Sequence, residues 1–403
     1  MESSGALSDI ELLDDVARRV AVPREEPGDS FVLHAPLEAL ARVGLLGHVA
    51  SIHRDPIVDR LREVGSAYEA WGEPFDHRPT HGRAIEQDAA GVLVAAVASG
   101  DLEAADDAIT WLVDRLDADE LVHTLAGPVL PSLAAAAHGS ILLFLLPRIA
   151  ARSMDAASMA RTTVHELVRR PDWQLRWFAS PRADQAPDPA SELERRLTAP
   201  RLPEQPENTF IHPTMSTTER TGLAADTLGD LVDELTVADA RRVLLRTAAR
   251  SMLQDDPDHA PYGWSHCLTM PQAALGVAPA APTVRTAIAV AATYVLGFRA
   301  SLGSVALDHE WAPDPLVVPV RELVEAGRTA AAASAWHASP AERPEIWRRL
   351  AANAGAHRDA HLAKYTLACM DAARADRAAE HLFIAAAASL NGWWHDADRP
   401  DAA

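Results

Sequence analysis

The chain has 403 residues, 48% of them hydrophobic, and a formal charge of -20 at neutral pH. Length and apolar content permit a large buried core and argue against disorder, while the acidic balance opposes nucleic acid or an anionic membrane as a partner. Two cysteines, Cys267 and Cys369, are too few for a disulfide framework or a thiolate metal site and fit a reducing cytoplasm.

The N-terminal MESSGALSDIELLDD is acidic where a secretory leader would be basic and then apolar, so no export is expected. Apolar residues then recur at helical spacing: Ile10, Leu13, Val16 and Val20; Ile57, Leu61 and Val64; Val232, Leu235, Val243 and Leu244. Helix starts are signalled by Ser8, by Asp101 and by Ser339-Pro340, which place a capping side chain or a proline where backbone N–H groups lack partners. Gly127 to Pro147 carries no charge over roughly the length of a membrane span. Its Pro131, His138, Ser140 and Pro147 favour a buried core helix instead. The proline-rich stretch at about 180–208 reads as a surface loop or linker between two halves, with at most a short helix around Ser191 to Thr198. The pattern predicts an all-α chain, one large multi-helical domain over 1–403, with about fifteen helices, no sheet of consequence and no short repeat.

Of the 37 basic residues only Lys364 is lysine; every other one is arginine. Lysine alone can shed its proton when buried, form a Schiff base or take up carbon dioxide as a carbamate. The segment HRDAHLAKYTLACMDAA predicts a helix from about His357 to Ala373, placing His357, His361, Lys364, Tyr365 and Ala368 on one face. A lone lysine near a helix end is ordinarily a solvated charge, so both readings stand at this point.

Four histidines interrupt strongly apolar stretches: His34 in FVLHAPLEALARVGLL, His138 in LAAAAHGSILLFLL, His266 in YGWSHCLTMPQAALG, and His361. Taken singly, each reads as a core imidazole bonded to a backbone carbonyl. Taken together, they point to a metal held between helices, since neutral imidazole suits iron, zinc or copper. His48, His53, His77, His81, His165, His259 and His395 lie beside charges, prolines or loops and read as solvated or capping. His357 is intermediate, being four residues before His361 but next to a helix start. Asp308 and His309 form either an acid-base or supporting pair or a solvated loop.

Rival patterns are missing. The sequence has no HExxH, a single ExxH (Glu120 to His123) where a di-iron bundle uses two, no GxGxxG, no Walker loop and no nucleophile elbow.

The contexts of His34, His138-Gly139, the string HCLTMPQAAL from His266 and HLAKYTLAC from His361 resemble the questin oxidase family, which opens the central ring of anthraquinones with molecular oxygen. The resemblance implies an all-helical fold and one non-haem iron, Fe(2+), ligated by His34, His138, His266, His361 and a carboxylated Lys364. It further implies O2 as co-substrate, an external reductant such as NADPH being compatible, and oxidative C–C cleavage or hydroxylation of a polycyclic aromatic or polyketide-like substrate in secondary metabolism. Thr269, one turn after His266, is then a candidate donor to the carbamate, and Tyr262, Trp264 and Trp311 are candidates for the aromatic pocket wall. A non-catalytic helical protein binding a hydrophobic ligand is the alternative from another class. A zinc hydrolase is a third, disfavoured because catalytic zinc commonly keeps three protein ligands and an open position.

Overall fold

The computed structural model describes residues 8–151, 153, 155–179, 188–256, 259–316 and 318–398. Among them the chain forms eighteen α-helices and seven short 3-10 turns. Among the described residues the only β pairing is two isolated bridges, Arg24 with Pro74 and Ser132 with Gln174. The all-α expectation holds, and no helix among the described residues is long and apolar enough to cross a membrane.

Local sequence explains many of the helix starts. Ser8 and Glu11 form a reciprocal capping box for Asp9–Val20, and Asp101 caps Leu102–Val113. The start expected after Ser339 falls slightly later, at Arg343, with Ser339 bonded to the Glu342 carboxylate at 2.7 Å. Around the expected linker, residues 180–187 lie outside the described set, and Asp188 caps Pro189–Thr198. That helix is tied down rather than loose: it packs on Val237–Leu253, and Arg196 holds Asp230 at 2.6 Å.

Four helices form a closed ring at the centre. Ser30–Leu46 touches Gly139–Ile149, which touches Tyr262–Gly276, which touches Ala360–Ala375, which returns to Ser30–Leu46. Two come from each half of the chain. Alanine and glycine let outer helices approach closely, as where Gly392 lies against the Arg328 backbone, at which an added Cβ would stand 2.6 Å from the amide nitrogen.

The charge-free stretch Gly127 to Pro147 is not the single buried helix expected. Helix Ala118–Val129 ends, a 3-10 turn spans Ala134–Ala137, and a new helix runs Gly139–Ile149. Pro131 has no N–H with which to continue a helix. Its carbonyl instead accepts from Leu175 N–H at 2.8 Å, while Leu133 N–H donates to the Trp173 carbonyl at 2.7 Å. The next residues, Ala135, Ala136 and Ala137, take left-handed φ of 52°, 49° and 57°. His138 therefore stands at the N-terminus of its helix, not inside it.

Candidate metal centre

All four histidines singled out from the sequence meet inside the ring. His34, His266 and His361 each place a ligand nitrogen within 4.8 Å of the other two. His138 joins them through Nε2, 3.2 Å from His266 Nε2. Nitrogens bound at about 2.1 Å to one ion stand about 3 Å apart when adjacent, so this spacing suits two ligands of a shared ion.

Three of the rings have their other nitrogen tied down. His34 Nδ1 donates to the Ser30 carbonyl, and His266 Nδ1 donates to the Tyr262 carbonyl at 2.7 Å, each one helical turn back. His361 Nδ1 lies 3.4 Å from Asp359 Oδ2. Asp359 in turn caps the Ala360–Ala375 helix by accepting from His361 N–H and Leu362 N–H. A histidine donating through Nδ1 carries its lone pair on Nε2, the atom a metal requires. The helix thus sets the tautomer.

Burial pushes His34, His138 and His266 well below the usual imidazole range, and neighbouring cations act in the same direction. It lowers His361 as well, against the opposing pull of Asp359. Lys364 acts electrostatically on all four; it is 4% exposed, and its Nζ has no hydrogen-bond partner. Desolvation brings its amine down to about 7, with Asp359 and Glu38 only partly offsetting that. Near neutral pH much of this lysine is therefore an uncharged amine. His34 Nε2 and His138 Nδ1 are likewise buried without partners. A buried polar atom left unpaired destabilises by about 1–3 kcal/mol, so this concentration of them fits a site built to be completed by a cation.

The surrounding candidates divide. Tyr262 stands at the edge, its ring 5.1 Å from that of His361 and close to Trp393 and Trp394. Thr269 shares a small cavity with Lys364, Phe144 and Gln272, although its hydroxyl donates to the Ser265 carbonyl at 3.0 Å. Trp264 is fully buried, and its indole donates to Asp255 rather than lining the cage; it lies two residues from His266 and so on another helix face. Trp311 packs on Trp336 in a separate aromatic group. His309 contacts Glu194 and Thr198, and Asp308 contacts Gln254; none of these partners belongs to the cage. His357 precedes the helix and pairs with Asp398 at 3.2 Å.

One expectation is overturned among the minor histidines. His165 is 1% exposed and bonds Asp106 at 2.9 Å, so it is neither solvated nor a cap. Its position among Val164, Leu167 and Val168, all buried, was the available signal in the sequence. No family profile matches the chain, and no curated protein or solved structure matches it either.

Proposed function

We propose that the chain is a mononuclear non-haem iron oxygenase, with His34, His138, His266, His361 and a carboxylated Lys364 holding the metal and an aromatic small molecule as substrate. The observation that carries this reading is the convergence of four imidazoles from the four helices of the ring upon one buried, unpartnered lysine. The neutral amine of Lys364 can attack carbon dioxide; an N–C bond forms, the amine proton leaves to solvent, and an anionic oxygen replaces a would-be cation. Such an oxygen favours a hard divalent metal, and the imidazoles fit iron.

A bound iron would supply the one-electron chemistry that dioxygen needs to react with an electron-rich phenolate. The chain's own contribution is positional. Backbone carbonyls at Ser30 and Tyr262 fix two Nε2 lone pairs, Asp359 orients a third, and burial keeps water from the cage. Tyr262, 40% exposed with its ring against His361, offers an aromatic side chain beside the cage for a flat substrate.

Purified protein should carry about one iron per chain, and His138→Ala or His266→Ala should abolish retention. Lys364→Arg should lose iron and oxygen uptake with a hydroxyanthraquinone, because guanidinium cannot take up carbon dioxide. Added bicarbonate should aid loading of the unaltered chain. A Lys364→Arg protein with normal iron refutes the carbamate, and stoichiometric zinc in place of iron points to hydrolytic chemistry.

A further inference from the structure

His138 differs from the other three histidines in one respect. His34 and His266 donate Nδ1–H to the carbonyl four residues earlier, and His361 has Asp359. His138 cannot do the same, because residues 135–137 are left-handed and no helical turn precedes it. Its Nδ1 is buried and has no protein partner. A metal-bound histidine almost always donates its second nitrogen to something.

His138 lines a neighbouring cavity together with a residue able to accept. Ala135, His138, Thr163, His165 and Glu166 all line it, and its space suits a water molecule rather than an aromatic ring. His165 has a buried Nδ1 with no partner, whereas its Nε2 lies 2.9 Å from Asp106. Asp106 is fully buried; burial raises its carboxyl, but the His165 and Arg161 contacts outweigh that and keep it ionised. An ionised Asp106 accepts the proton on Nε2, which leaves the lone pair of His165 on Nδ1. The Phe75 ring, 4.8 Å away and edge-on, holds the imidazole in that orientation.

We propose that Asp106 and His165 are the outer support of His138: one water in this cavity accepts the His138 Nδ1–H and donates to His165 Nδ1. The chain runs from Asp106 through His165 and the water to His138, whose Nε2 lone pair then faces the cage. His165 and Asp106 act here as positioning residues, supplying through space what a helical carbonyl supplies to His34 and His266. The inference rests on the metal reading of the cage, and its test separates the two.

Iron(II) is titrated anaerobically into metal-free protein, and the ring nitrogens of that same metal-free protein are followed by NMR after 15N-histidine labelling. Metal affinity falls about ten- to hundredfold in His165→Leu and in the isosteric Asp106→Asn, is partly regained in His165→Gln, and holds in Asp107→Asn. The metal-free wild type shows His138 as a single Nδ1–H tautomer, and His165→Leu shows a mixture. Asp106→Asn decides the matter if His165→Leu does not fold. Unchanged affinity in both folded variants overturns the proposal, as does an equal loss in Thr163→Val. If the wild type binds no metal, the metal reading falls on its own, and the tautomer alone decides this inference: a mixed His138 in the wild type overturns it.

Discussion

The helix Ser30–Leu46 carries two buried polar groups of opposite character. Near its start His34 keeps Nε2 without a partner. One and two turns later, Glu38 is 2% exposed and Arg42 0%, and every guanidinium nitrogen of Arg42 has a partner. Arg42 donates to Glu38 at 2.9 and 2.6 Å and to the carbonyls of Ala354, Gly355 and His357, while Arg60 reaches Glu38 at 3.0 Å. Burial is the same in both places; saturation is not. A saturated group fastens one segment to another, here the first long helix to the residues before Ala360–Ala375, whereas an open group waits for a ligand.

The heaviest loss should come from removing one partner on the saturated side. Arg42→Met leaves Glu38 buried with only Arg60 facing it, and should destabilise the fold by about 3 kcal/mol, read by urea denaturation. A loss under about 1 kcal/mol there would mean that saturation does not mark a structural role.

On the open side the sign reverses. Lys364 titrates at about 7 when folded against an ordinary 10.5. Above pH 7 the unfolded chain holds this proton and the folded chain does not, so Lys364 makes the metal-free protein more stable as pH rises from 7 toward 9, where the thiols of Cys267 and Cys369, pushed up by burial, begin to act in the opposite sense. The slope approaches about 1.4 kcal/mol per pH unit where the difference is one full proton. Lys364→Met should remove that slope and raise stability at pH 7 in the absence of metal. A wild-type curve that is flat over this window, or a destabilised Lys364→Met, would count against a buried lysine held for a ligand.

The mildest change falls on the turn before His138. Ala136→Gly relieves one left-handed alanine and should stabilise the metal-free chain by roughly 1 kcal/mol. The glycine also lets the turn relax, so metal retention should fall slightly even as the melting temperature rises. A rise in both would show that the turn does not position the imidazole.

Much of the cage was legible because each ligand candidate is a polar side chain in an otherwise apolar run, and helical periodicity plus capping residues sufficed for the fold class. The turn at Ala135 to Ala137 was hidden for the opposite reason. Consecutive alanines are the strongest helix formers, and what overrides them is Pro131 together with the distant Trp173 and Leu175, whose backbone pairs with this segment. Trp264 misled because nearness in sequence to His266 is not nearness in space on a helix. His165 was misread as solvated or capping, and Asp106 escaped notice, because their charged neighbours mask a buried face whose two members lie on separate helices.

The ring around the cage also sets an order of events during synthesis. His34 and His138 leave the ribosome early, yet neither has its full company until the helix Ala360–Ala375 follows. Helices formed up to that point hold an incomplete set of imidazoles. Closure joins segments more than three hundred residues apart, a slow search by loop entropy, so the two ends of the polypeptide come into register last.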